Sequence, residues 1–90
     1  MDSTTTIYTI LEQSFQPEFL EIIDESYKHM GHEGAKDGGG HFVVHIVSTL
    51  FSGKNRMVRH RLINNATRHL FTDKTIHALS IHAKAPEEVV

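Results

Sequence analysis

Eight histidines and no cysteine in 90 residues set the chemistry this chain can offer. Neutral imidazole binds iron, zinc, copper and nickel. A chain without thiols supplies no thiolate metal site, no nucleophilic cysteine and no disulfide framework. Three of the eight, His29, His32 and His41, fall in or at the end of a stretch that also gathers Gly31, Gly34, Gly38, Gly39 and Gly40, five of the six glycines. Glycine lets the backbone turn sharply, so such a loop can bend several imidazoles toward one point. These three are therefore candidate metal ligands. A fourth candidate is His60, which lies within Arg59-His60-Arg61 toward the polar side of a helical pattern. His45, His77 and His82 fall inside strand patterns, where a half-buried or surface role explains them. His69 sits near a helix C-terminus, where an imidazole suits the helix dipole. No His-Glu-x-x-His helix, nucleophile elbow, phosphate-binding loop or dinucleotide fingerprint is present, so neither hydrolysis nor nucleotide binding is indicated.

Charge is segregated along the chain although the net charge is only -2. Residues 1–26 carry six acids and no Lys or Arg, whereas residues 54–71 carry Lys54, Arg56, Arg59, Arg61 and Arg68 and no acid. That basic segment is a candidate surface for an anionic partner, nucleic acid included; it would equally serve to offset the acidic segment within one fold. Gly31-His-Glu-Gly34 matches a Gly-x-x-Gly nucleotide clamp. The clamp joins two helices, whereas here it falls between two strand patterns, and aromatic platforms for stacking bases are sparse.

The elements that must hold these residues follow from periodicity. Ile7, Ile10, Leu11 and Phe15 lie on one helical face, with Ser3 to Thr6 offering N-cap oxygens and Pro17 ending the helix. Phe19–Asp24 reads as a strand, as does His41–Ser48, where Phe42, Val44 and Ile46 alternate with Val43, His45 and Val47. The two strands flank a flexible loop at 27–40 and should pair antiparallel across it. Asn55 caps a helix expected over Arg56–Phe71, striped by Val58, Leu62, Ile63, Ala66 and Leu70. A break at Thr72–Thr75 leads to a third strand, Ile76–Lys84, with His77, Leu79, Ile81 and Ala83 on one side. Pro86 ends it, leaving a tail at 86–90. The order α-β-β-α-β predicts one α+β domain over residues 1–90, a two-layer sandwich. The helical crossover should make the second and third strands parallel. No apolar run approaches the ~20 residues that cross a bilayer. No secretory signal is read at the start of the sequence, and a cytoplasmic or mitochondrial location is expected.

From Ile7 to Glu88 the chain resembles the BolA family. The resemblance is carried by Leu20-Glu-Ile-Ile-Asp-Glu-Ser26, His41-Phe-Val-Val44 with Ile46-Val-Ser48, and Phe51 with Gly53-Lys54. Arg59-His-Arg-Leu-Ile63 follows, then Ile76-His-Ala-Leu-Ser-Ile81, Ala83-Lys84 and Pro86-Glu87-Glu88. In order and at these spacings the pieces are specific together. The resemblance implies a class II KH-like fold of α-β-β-α-α-β order, with a short third helix that periodicity does not reveal. It implies a non-enzymatic role: pairing with a monothiol glutaredoxin to share a bridging 2Fe–2S cluster, with glutathione, in iron–sulfur trafficking and iron regulation. It implies that the second-helix ligand is His60. It also implies that the loop ligand, Cys in some members, is of the histidine type here, with His29 the best match by spacing, His41 a further match and His32 open. The free chain is expected to be a monomer without bound cluster. Two alternatives stand beside this: a nucleic-acid-binding regulator using the basic helix, and a zinc or copper site in the loop alone.

Overall fold

The computed structural model describes residues 2–29 and 39–89, the side chains of Lys28 and His29 excepted. Helix α1 spans Ser3–Phe15. Its cap is Asp2, one residue before the expected serine and threonines: the Asp2 carboxylate accepts a hydrogen bond from the Thr5 N–H at 2.8 Å. That bond holds the carboxyl below its ordinary range. Gln16 closes the helix in the left-handed region, φ 45°, just ahead of Pro17.

Strand β1 (Phe19–Asp24) pairs antiparallel with β2 (Gly40–Val47), and β2 pairs parallel with β3 (Ile76–Lys84), in the order β1-β2-β3. Both pairings match the sequence-based expectation. The helix expected over Arg56–Phe71 is two helices, α2 (Arg56–Ala66) and α3 (Arg68–Thr72). The helix is interrupted at Thr67, and the expected break before β3 is also present, at residues 73–75. The buried Thr67 hydroxyl donates to the Ile63 carbonyl at 2.9 Å, and the chain restarts from there. Leu70 keeps the apolar stripe going across the break, which hides it from periodicity. The family's extra helix is therefore present, as α3.

One face of the sheet packs against the helices. Ile7, Leu11 and Phe15 of α1 meet Phe42, Val44 and Ile46 of β2, with Phe51, Ile63, Leu70, Ile76 and Ile81 completing the core. The opposite face carries Phe19, Glu21 and Ile23 of β1 beside Val47, His45 and Val43 of β2. Among the described residues no helix is long and apolar enough to cross a membrane.

The start of β3 departs from simple alternation. Gly40 pairs with Ile76, but His41 pairs with Ala78, so His77 is one extra residue in β3. A bulge of this kind reverses the facing of everything beyond it. Ile76 is consequently buried together with Ile81, while His77 is exposed. This corrects the expectation that His77 shares a side with Leu79, Ile81 and Ala83. Gly39 makes room for the bulge: a Cβ there would stand 2.7 Å from the His77 Cβ. Gly39→Ala should therefore push the strand start apart and cost about 1–3 kcal/mol, the usual penalty of overpacking. Chemical denaturation of the variant beside wild type measures it.

Candidate metal centre

Three hydrogen bonds, two between backbone groups and one to a side chain, stitch the loop-bearing end of the sheet together. The Glu25 N–H donates to the His41 carbonyl at 2.8 Å, and the Gly40 N–H donates to the Thr75 carbonyl at 3.1 Å. The His41 N–H donates to Ser26 Oγ at 3.1 Å. The end of β1 and the starts of β2 and β3 thus meet at one place. There the rings of His41 and His77 stand 5.1 Å apart, centroid to centroid, with planes inclined at 42°. A 3₁₀ turn, Ser26–His29, leaves β1 at the same end, so the backbone of His29 departs from this corner. The His29 side chain and the whole of His32 lie outside the described residues, as does Gly31-His-Glu-Gly34. Two imidazoles are therefore brought together at the mouth of the loop. One of them, His77, falls inside a strand pattern, which by itself predicts a surface or half-buried role.

His60 is elsewhere. It is half-buried on α2, where Asn55 caps the helix by accepting from the Val58 N–H at 2.9 Å. With Arg56 it lines a groove of about 180 Å³ against Ile81, His82, Ala83 and Lys84, near the far end of β3. His82 lies five strand positions beyond His77, roughly 16 Å at the usual strand rise. His60 is thus not placed beside His41. Among the described residues no three His, Asp or Glu side chains are gathered for a metal ion.

Arg59 explains why α2 sits where it does. Its Nε donates to the Lys54 carbonyl at 2.7 Å, and its Nη1 donates to the Ala83 carbonyl at 3.1 Å and to Glu88 Oε1 at 2.6 Å. The guanidinium ties the first turn of α2 to the end of β3 and to the 3₁₀ turn Pro86–Glu88. Its side chain is only 11% exposed, so it is a clamp within the fold rather than part of a free cationic surface. Arg68 likewise donates to Asn65 Oδ1 at 2.6 Å. Lys54, Arg56 and Arg61 lie on the surface, and Arg56 and Arg61 flank an open depression of about 630 Å³ with Met57, His60 and Asn64. Met57 is 68% exposed, so an apolar side chain sits among the cations.

The clamp has a pH signature. The hydrogen bond from Arg59, then that from the Ala85 N–H, hold the Glu88 carboxyl below its ordinary value of 4.5. A depressed carboxyl pKa stabilises the fold above the unfolded value, and that contribution is lost as pH falls through the folded one. Wild type should thus lose stability below about pH 4.5 more steeply than Glu88→Gln, whose clamp does not titrate. Denaturation midpoints between pH 7 and 3 compare the two.

Comparison with known proteins agrees with this architecture. The family model for BolA-like proteins matches residues 11–88. The chain is 43% identical over 90 residues to a Sinorhizobium protein described as an uncharacterized protein in the cobS 5′ region, covering 98% of this chain and 96% of that one. It is 38% identical to the DNA-binding transcriptional regulator BolA of Escherichia coli K12, over 87% of this chain and 70% of that protein. Some relatives are longer, and the chain spans as little as 22% of one of them. Among solved structures, the BolA domain of SufE1 from Arabidopsis thaliana superposes with a TM-score of 0.84 at 41% identity, covering 96% of this chain and 94% of that one. Sequence across nearly the whole domain and the α-β-β-α-α-β order with its mixed sheet lead to one conclusion: the chain belongs to the BolA family.

Proposed function

We propose that this chain is a non-enzymatic adaptor in iron–sulfur trafficking, which pairs with a monothiol glutaredoxin and presents imidazole to a 2Fe–2S cluster held by the partner's thiolate and by glutathione. The observation that carries the reading is the approach of His41 and His77 at the mouth of the histidine-bearing loop. Two nitrogen donors fit such a cluster, because neutral imidazole ligates iron and the chain itself offers no thiolate. When bound, the cluster supplies redox-active iron, and exchange of thiolate for imidazole raises its potential, as in Rieske-type centres.

The chain's own residues divide the work. His77, on its bulge, and His41 offer the two nitrogens from the sheet, and His29 or His32 is the alternative donor from the loop. His60, at the other end of β3, belongs with Met57, Arg56 and Arg61 to a mixed apolar and cationic face suited to the body of an acidic partner. Lys54 extends that positive field. Anaerobic co-purification with a monothiol glutaredoxin and glutathione tests the proposal. A heterodimer whose visible absorption and circular dichroism differ from those of the glutaredoxin homodimer is expected. Spectra equal to the homodimer's overturn it.

A second reading, a nucleic-acid-binding regulator, is favoured by the name of the Escherichia coli relative and by the exposed Lys54, Arg56 and Arg61. The engagement of Arg59 by Glu88 weakens it, since one of the five bases is committed to the fold. Affinity for duplex or single strands that falls steeply with salt would support this reading, and no binding at low salt would remove it.

A further inference from the structure

A second set of histidines stands away from the loop, on the sheet face that the helices leave open. The register places Glu21 opposite His45 and His45 opposite His82, so a carboxylate and two imidazoles form a row across all three strands. Their outward direction follows from the pleat: Ile46 and Ile81, next to His45 and His82, are buried in the core. The rings of His45 and His82 are stacked, with centroids 4.7 Å apart and planes within 11°. Beside them is a cavity of about 350 Å³ whose lining includes Phe19, Val47, Lys84 and Val89.

We propose that His45 and His82 together chelate a divalent cation of the imidazole-binding class, such as zinc, copper or nickel, on this open face. The sheet already holds the two residues side by side, so no loop must be ordered to bring the donors together. Rotation about the outer side-chain torsions turns one nitrogen of each ring toward a shared point above the strands. Glu21, next in the row, contributes negative charge, and water completes the coordination. Phe19, Val47 and Val89 give the pair an apolar flank on one side. Lys84 in that lining, and Arg56 in the groove that His82 shares with α2, oppose cation binding. A pair of imidazoles does not suit magnesium or calcium, which require several oxygen ligands. The site shares no residue with the loop-end pair and does not depend on the iron–sulfur reading.

Titration of the whole chain with zinc chloride, followed by imidazole nitrogen NMR, tests it. The nitrogens of His45 and His82 should shift along one common binding curve, in wild type and in His77→Ala alike, while magnesium chloride moves neither. Either His45→Asn or His82→Asn should weaken zinc binding at the remaining partner by about tenfold or more, because the chelate is lost. His82 is exposed and His45 half-buried on the open face, and unchanged far-ultraviolet circular dichroism confirms folding. The proposal is overturned if zinc moves only His29, His32, His41 and His77, or if His82 keeps its zinc affinity after His45→Asn.

Discussion

His77→Ala should abolish most of the change that this chain imposes on the visible spectrum of a glutaredoxin-held cluster, whereas His60→Ala should leave most of it in place. The split follows from position. His77 occupies the bulge at the start of β3, within 5.1 Å of the His41 ring and at the corner from which the loop departs. His60 shares its groove with residues 81–84 at the other end of the strand. Loss of an outer-shell partner already costs a metal site about 10–100-fold in affinity, so loss of a direct donor should cost at least that. His41→Ala should give an intermediate result, since the loop can still deliver a donor. Anaerobic titration of each variant into reconstituted glutaredoxin, read by circular dichroism, measures all three. A His77→Ala complex with wild-type spectra, beside a His60→Ala complex without them, would reverse the assignment.

Phe51→Ala should come close to unfolding the domain. Phe51 is completely buried in the short 3₁₀ turn, Thr49–Phe51, that links β2 to α2. Its ring lies 5.2 Å from that of Phe15, so it joins the end of α1 to the crossover. Truncation of a buried phenylalanine costs about 3–5 kcal/mol, while whole domains are stable by only ~5–15 kcal/mol, with small ones at the lower end. At roughly 4–8 °C per kcal/mol for a chain of this size, Tm should fall by well over 10 °C. Met57→Ala, at a side chain 68% exposed, should change it little. Thermal unfolding of both variants provides the comparison. A loss below about 1 kcal/mol at Phe51 would mean that the core is organised otherwise.

Much of this architecture is legible in the residues. Phe42, Val44 and Ile46 alternate without interruption, and they are the buried face of β2. Ile7, Leu11 and Phe15 keep helical spacing and are buried together. Two features escape pattern reading for physical reasons. The kink at Thr67 is made by one hydroxyl bonding to a carbonyl, with the apolar stripe unbroken across it. The bulge at His77 depends on register, which a single strand's pattern does not contain. The proposed cluster site is hidden from the sequence in the same way. Arg59-His60-Arg61 is conspicuous in sequence, yet Arg59 is there to clamp α2 to Ala83 and Glu88. His77 looks like an ordinary strand residue. A usable signal was nonetheless present, because parallel pairing of β2 with β3 sets the first residues of both strands side by side, and His41 and His77 are among them.

In the proposed complex, imidazole nitrogen from this chain binds iron already gripped by sulfur from another. Pulsed electron paramagnetic resonance on the reduced complex tests it most directly, with this chain alone carrying nitrogen-15 histidine. Strong nitrogen-15 hyperfine couplings that persist in His60→Ala and diminish in His77→Ala are expected. A reduced cluster showing no nitrogen-15 coupling at all would contradict it.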